Sequence, residues 1–233
     1  MDFFEDKNNM YKKESQIIKE LINLETSPVA VKFYTKEVDA KKEYEKTENM
    51  VMHCQAIIDA SNGKSFYATK DNLGCSNGVT VLGLKDVTEE VLDGTFFDKV
   101  NVTCNKECGK TLIDTVPKMN TKIEAISYSP LENTKNADVI IVIAKPRQIF
   151  DLIRANVYMK GERIDCDVSG TQSLCGDITV NTYLTKQTKI SFGCMGSHLA
   201  TELQEDQVII GIPVEILDDF VEALTIVTQP PTQ

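Results

Sequence analysis

An apolar run, Val139–Ala144, constrains the fold more than any other feature of this sequence. A run of this length without a polar residue predicts a strand that is buried on both faces. It is far shorter than the ~20 residues that cross a bilayer. Pro146 then opens a helical repeat that ends at Gly161. A strand covered on both faces needs helices on each side of its sheet. The sequence therefore predicts an α/β or α+β fold, with a mixed sheet and flanking helices.

Hydrophobic periodicity predicts further elements along the chain. We expect strands at 29–34, 65–69, 123–128 and 208–212, and helices at 10–24, at 50–60 and after Pro213. Two stretches, about 27–120 and 121–226, weakly repeat the order of strand, helix and cysteine-bearing glycine loop. The prediction is one domain over 1–233 with an N-terminal helix, either undivided or built from two interlocked similar halves, and a chance echo is the alternative to duplication.

The charge of the chain limits its partners. Its formal net charge is −10 at pH 7, and an acidic surface repels phosphate backbones and anionic membranes. We therefore expect neither a nucleic-acid partner nor a membrane partner. The first residues have neither the basic segment nor the apolar segment of a secretory signal, which predicts a cytoplasmic protein.

Cysteine and glycine occur together in this sequence. The chain has seven cysteines, an odd number that we expect to be reduced thiols inside a cell. Four of them adjoin a glycine, the residue that allows the closest backbone approach: Cys75, Cys108, Cys175 and Cys194. An iron–sulfur cluster or related metallocofactor would explain this pairing, because its sulfurs accept backbone hydrogen bonds and its bulk excludes side chains.

Four cysteines are the candidate ligands of such a cofactor. Cys75, Cys175 and Cys194 are expected in glycine loops, and Cys54 projects from a predicted helix as the fourth. The spacings, C-x20-C, C-x99-C and C-x18-C, match no compact ferredoxin or zinc-ribbon pattern. Core packing is the alternative, and it is strongest for Cys54 on the apolar stripe of its helix. The backbone around the cofactor would come from Gly74, Gly78, Gly176, Gly193 and Gly196.

The remaining cysteines and one histidine stay undecided. Cys104 and Cys108 have a spacing that can serve a metal, but no second pair accompanies them. Burial is the default for Cys166. His198 would share a helical face with Cys194, where it is either a ligand or proton carrier or an exposed, satisfied histidine.

A second hypothesis needs no metal. Arg147 lies in the first turn of the predicted helix after the central strand, where free N–H groups favour an anion. An enzyme or sensor could bind a small anionic metabolite there, using the glycine loops as backbone cradles. A surface arginine paired with an acidic residue is the alternative for Arg147.

A third interpretation is an interaction protein whose thiols are all buried. The expected partner is thus a small molecule or a metallocofactor, and the reaction is unknown.

Several short motifs carry a resemblance to a known family. They are Cys54-Gln55-Ala56, Gly74-Cys75-Ser76-Asn77-Gly78, Leu82-Gly83-Leu84, Cys175-Gly176, Gly193-Cys194-Met195-Gly196-Ser197-His198, Asp206 and Ile210-Gly211-Ile212-Pro213. The sequence resembles the uncharacterised family called domain of unknown function number 169, found largely in archaea and anaerobic bacteria. The resemblance runs from about Pro28 to Ile216.

What the resemblance implies concerns residues rather than an activity. It implies that Cys54, Cys75, Cys175 and Cys194 belong to the family pattern, and that the other three cysteines are local additions. Family members often have Gly-Ser-Arg where this chain ends its motif with His198. A neutral histidine lacks the charge of arginine, which weakens an anion-binding role there.

Overall fold

One six-stranded sheet forms the centre of the molecule. The computed structural model describes residues 3–166 and 168–230, with side chains from residue 8 onward. The strands are β1 (Val29–Tyr34), β2 (Phe66–Thr69), β3 (Ala125–Pro130), β4 (Val139–Ala144), β5 (Lys189–Ser191) and β6 (Val208–Pro213). Their order is β2-β3-β1-β4-β6-β5, and neighbouring strands pair antiparallel. β3 thus lies between β1 and β2, so a strand of the second predicted half is inserted between the two strands of the first.

Helices cover both faces of this sheet. Those described are α1 (Phe3–Ile22), α2 (Glu37–Lys41), α3 (His53–Ser61), α4 (Ser76–Val81), α5 (Glu89–Leu92), α6 (Thr95–Lys99), α7 (Lys106–Thr115), α8 (Pro146–Lys160), α9 (Asn181–Thr185), α10 (Met195–Ala200) and α11 (Leu217–Val227). A π-helix spans Ser173–Val180, and 3-10 turns span Leu131–Asn133 and Val214–Ile216. The predicted class, helices flanking a sheet, is confirmed. None of the described helices is both long and apolar enough to cross a membrane.

The central strand β4 separates two hydrophobic layers. Its side chains alternate, so Ile141 belongs to one buried cluster and Ile140 to the other. The back layer consists of α1, α8 and α11, whose apolar residues pack on the even-numbered side of β4. The front layer consists of α3, α4, α7 and the π-helix, which pack on the odd-numbered side. Both faces of β4 are therefore covered, as its sequence predicts.

Element boundaries were predictable where hydrophobic pattern and helix-ending residues agree. β1, β4 and α8 have the predicted limits, and α8 ends at Gly161, which adopts the left-handed conformation at φ 66°. β5 was not predicted, because it is three residues long and begins with a lysine. The expectation that Cys175 lies in a loop is wrong, since it lies inside the π-helix.

Candidate cysteine site

The π-helix carries Cys175 into the interior of the front layer. All eight of its residues are buried, and Leu174, Cys175 and Ile178 join the hydrophobic cluster against the sheet. Gly211 of β6 makes this packing possible, since a Cβ there would lie 3.0 Å from Cγ2 of Ile178 in the π-helix. The strand therefore needs a glycine where the π-helix crosses it.

Cys75 approaches Cys175 across a glycine. Cys75 is the N-cap residue of α4, and the Gly78 N–H donates to its Sγ at 3.3 Å. A Cβ built on Gly78 would lie 3.4 Å from Cys75 Sγ and 3.9 Å from Cys175 Sγ. The two sulfurs therefore border the same bare backbone position, which a larger residue would fill. Gly176 allows a second close approach, with Val116 Cγ1 3.2 Å from its built Cβ.

Cys194 lies at the start of α10, beside the segment that precedes the π-helix. Its N–H donates to Ser197 Oγ at 2.8 Å, and the Met195 N–H donates to the Gly170 carbonyl at 3.1 Å. Gly193 has φ 88°, a left-handed conformation that favours glycine. A Cβ on Gly196 would lie 3.9 Å from Cys194 Sγ. Cys194 is thus half-buried. Neither Gly193 nor Gly196 has a side chain that could cover its sulfur.

The four predicted cysteines come together in the structure. Cys54, the second residue of α3, is half-buried, and its pKa is raised to about 12 by burial, then by the charges of Cys194 and Cys75. The pKa of Cys175 is raised well above its usual range by burial, then by Cys75, Cys194 and Cys54. Like charges shift a pKa over short distances. We call these four residues the cysteine site.

The thiols of the cysteine site are not arranged around one ion. In the part of the chain that the structure describes, no group of three or more His, Cys, Asp or Glu residues could hold a single metal ion as it stands. Burial and the neighbouring cysteines instead favour the neutral thiols of Cys54 and Cys175. Ionising all four together would require a compensating positive charge.

A buried histidine network adjoins the cysteine site. His53 Nδ1 lies 2.7 Å from Tyr128 Oη, and its Nε2 lies 2.9 Å from Thr179 Oγ1. Thr179 already donates to the Leu174 carbonyl at 2.7 Å, so we assign the proton to Nε2 of His53 and the acceptor role to Nδ1. Burial lowers the pKa of His53 to about 3. The imidazole is therefore neutral and links α3, β3 and the π-helix.

Sequence reasoning missed this network, although it touches the predicted site. The pKa of Tyr128 is raised by burial, then by Cys175 and Cys54, which places the phenol next to two of the cysteines. The sequence signals for the histidine network were His53 directly before Cys54 and Thr179 one helical turn after Cys175. Neither signal was sufficient, because the two residues meet only when α3 and the π-helix both pack on β3.

Polar atoms without hydrogen-bond partners also border the π-helix. Within residues 8–166 and 168–230, the Gln172 side-chain amide and Ser173 Oγ are buried and have no hydrogen-bond partner. Gln172 has φ 51°, a left-handed conformation that is uncommon for a residue with a side chain. Buried polar groups are normally satisfied. These atoms, two and three residues before Cys175, are therefore available to a bound group.

The other predicted residues lie apart from the cysteine site or have ordinary partners. Arg147 is exposed on α8 in the back layer and pairs with Asp151 at 2.7 Å, so it does not meet the cysteines. His198 is exposed, and its Nε2 lies 2.7 Å from the Phe192 carbonyl. A Cβ on Gly74 would lie 3.0 Å from Met50 Cγ. The burial expected for Cys166 is wrong, since it is exposed and its Sγ donates to the Ile190 carbonyl at 3.3 Å.

Comparison with known proteins gives a family without an assigned activity. The model of the family called domain of unknown function 169, described as "Uncharacterised ArCR", matches residues 17–223. The chain belongs to this family. A curated relative, "Uncharacterized protein MJ0308" from Methanocaldococcus jannaschii, is 31% identical over 219 residues, which are 93% of this chain and 94% of that protein. No solved structure matches the chain. The resemblance expected from the cysteine and glycine motifs is thereby confirmed.

Proposed function

We propose that this family member is a cofactor-binding or redox protein that holds an iron–sulfur cluster or related metallocofactor at the cysteine site. The observation that carries the proposal is the convergence of Cys54, Cys75, Cys175 and Cys194 from four separate segments of the chain. Packing alone does not require that several thiols meet at one place, because alanine or valine would fill the same space.

A cationic occupant would offset the repulsion between thiolates at the site. Cys54 and Cys175 have raised pKa values, caused first by burial and then in part by the other thiols. A metal centre would replace the thiol protons and compensate the repulsion between thiolates. An iron–sulfur cluster does not require all four sulfurs to surround one ion. Cysteines of a cluster bind different iron atoms, whereas one zinc draws every thiolate to about 2.3 Å.

The backbone around the sulfurs supports the same proposal. The Gly78 N–H already donates to Cys75 Sγ, which is the type of contact that tunes cluster sulfurs. Gly78 and Gly196 put no side chain between these sulfurs and a bound group. The unsatisfied Gln172 amide supplies polar atoms for a partner at the same segment. In this proposal, the network of His53 and Tyr128 orients the helices and the cysteines bind the cofactor.

The test is anaerobic purification and reconstitution with iron and sulfide, followed by elemental analysis and visible absorption. We expect brown protein that contains both elements. Cys194→Ser should lose most of the iron with its melting temperature largely kept, because Cys194 is half-buried in a loop. Cys166→Ser is the matched control and should keep the iron. Colourless wild-type protein, or equal iron in the Cys194 and Cys166 variants, would overturn the proposal.

A second candidate function, binding of a small anionic metabolite without metal, has its own observation. A cleft of about 650 Å³ lies between the end of α4 and residues 118–122. Its lining includes four lysines and two aspartates, a net charge of +2 in a chain of net charge −10. These residues are Lys70, Lys85, Lys118, Lys122, Asp71 and Asp86. In this candidate function, the lysines of the cleft supply the positive charge for the anion, and Arg147 does not.

Metal-free protein separates the two functions. If the cleft binds anions, pyrophosphate or citrate should raise the melting temperature of metal-free protein. Lys85→Ala should weaken that shift, and Lys135→Ala, an exposed lysine outside the cleft, should leave it unchanged. No shift with either anion would reject this candidate and leave the cysteine proposal unaffected.

A further inference from the structure

Two of the remaining cysteines form a close exposed pair. Cys104 precedes Asn105, the N-cap residue of α7, and Cys108 lies in the first turn of that helix. Their Sγ atoms are 3.5 Å apart, and both residues are exposed. A disulfide requires about 2.05 Å between the sulfurs, so a small local movement joins them. The pair is a vicinal dithiol at the surface.

The helical side of this pair is held in place by backbone contacts. Asn105 Oδ1 accepts from the Cys108 N–H at 2.8 Å. Gly109 packs directly on Gly94, and a Cβ on Gly109 would lie 2.4 Å from the Gly94 carbonyl oxygen. A salt bridge between Lys106 and Asp93, 2.6 Å long, ties the same turn to the preceding helices. Cys108 is thus fixed, whereas Cys104 belongs to a bend outside regular structure.

The two sulfurs influence each other. The hydrogen bond with Cys104 raises the pKa of Cys108, so Cys108 keeps its proton to higher pH than an isolated cysteine would. Because Cys104 lies on a bend outside α7 and Cys108 is held in its first turn, we assign the first attack to Cys104 and the resolving role to Cys108. The third exposed cysteine, Cys166, donates to the Ile190 carbonyl.

We propose that Cys104 and Cys108 form a thiol–disulfide exchange site that reduces small disulfides and closes into an intramolecular disulfide. The Cys104 thiolate attacks one sulfur of the small disulfide, which breaks its S–S bond and releases one thiolate. The Cys108 thiolate then attacks the Cys104 sulfur of the mixed disulfide and releases the second thiolate. Two electrons pass from the cysteine pair to the small disulfide, and the two cysteine protons leave to solvent or to the released thiolates.

The experiment uses the full chain, reduced and freed of reductant, and oxidised glutathione as the probe. Intact mass and peptide mapping are followed over time. Wild type and Cys166→Ser should lose two hydrogens and yield a peptide crosslinked between Cys104 and Cys108, with no lasting glutathione adduct on either. Cys108→Ser should instead accumulate a stable glutathione adduct on Cys104. The double variant Cys104→Ser/Cys108→Ser should form no crosslink.

A second probe tests the pair without oxidation. Phenylarsine oxide binds two neighbouring thiols at once, so wild type should retain it through a wash and each single serine variant should lose it. Glutathione adducts that persist on both cysteines of wild type would overturn the proposal. So would loss of two hydrogens in the double variant, since the crosslink would then lie elsewhere. Iron content is measured on the same samples, and its value bears on the cysteine site alone, because Cys104 and Cys108 are exposed and outside that site.

Discussion

The front and back layers cover the same sheet with different chemistry. In the back layer, α1, α8 and α11 are regular helices of 11 to 20 residues that bury mainly aliphatic side chains and Phe220. In the front layer, α3 and α4 are shorter, and the π-helix buries Ser173, Thr179 and Cys175. Regular apolar packing stabilises a fold, whereas buried polar groups and irregular helices accompany functional sites. The back layer therefore packs as the regular scaffold, and the front layer holds the π-helix and the four cysteines.

The largest effect should follow from a cavity in the back layer. Phe220 is completely buried, so Phe220→Ala should lower the free energy of unfolding by about 3–5 kcal/mol. Urea denaturation measures this loss. Iron bound per folded molecule should stay at the wild-type value, because Phe220 lies across the sheet from the cysteines. A parallel loss of iron from folded protein would contradict the division between the layers.

A smaller loss of stability should follow from Tyr128→Phe in the front layer. The change leaves His53 Nδ1 without its donor at a buried position, which should cost roughly 1–3 kcal/mol. Tyr67→Phe is the matched control, since the Tyr67 hydroxyl donates to Glu37, which is only half-buried and can accept from water instead. Thermal denaturation compares the two variants. Equal melting temperatures would show that the His53 network does not brace the site.

A polar anchor in the back layer should give the smallest effect and a pH dependence. Glu132 accepts from Ser27 at 2.6 Å and from Ser15 at 2.7 Å. Its burial raises the pKa, but these hydrogen bonds and Lys19 outweigh that effect and leave the pKa below its usual value. Stability from a lowered carboxyl pKa is complete above the unfolded value, near 4.5, and is lost as the pH falls through the folded value.

The measurement compares Glu132→Gln with wild type in urea between pH 7 and pH 3. At pH 7 the variant should be less stable by about 1 kcal/mol, and the difference should shrink once the pH falls below the usual carboxyl range. Glu20→Gln, which changes an exposed carboxylate on α1, should show neither effect. A difference that stays constant with pH would mean that the Glu132 charge is not the source of the stability.

The sequence predicted the back layer better than the front layer, for physical reasons. A helix such as α8 can be predicted from its apolar spacing, from Pro146 and from Gly161, which are all local signals. The π-helix has no such signature, since Ser173–Val180 is buried on all sides and shows no apolar stripe. Its shape depends on Gly211, 36 residues after Cys175. Packing partners this distant cannot be inferred from local pattern.

The cysteines themselves were predictable as a set, but their arrangement was not. The glycines beside Cys75, Cys175 and Cys194 mark close backbone approach, and the structure contains such approaches at all three of them, Gly74, Gly176 and Gly193. Cys54 joined the set because it projects from a predicted helix, although its place on the apolar stripe of that helix favoured packing. The sequence could not show that Arg147 faces away, because that depends on which side of the sheet α8 covers.

The contact between the π-helix and Gly211 determines when the cysteine site can form during synthesis of the chain. On the ribosome, three of the four cysteines emerge before residue 190, but the strand that supports Cys175 is complete only after residue 213. β6 must pair with β4 before that support exists. A growing chain therefore exposes its thiols before the packing around Cys175 is complete. If the proposed cofactor binds, its insertion is a step after synthesis, and those thiols must stay reduced until then.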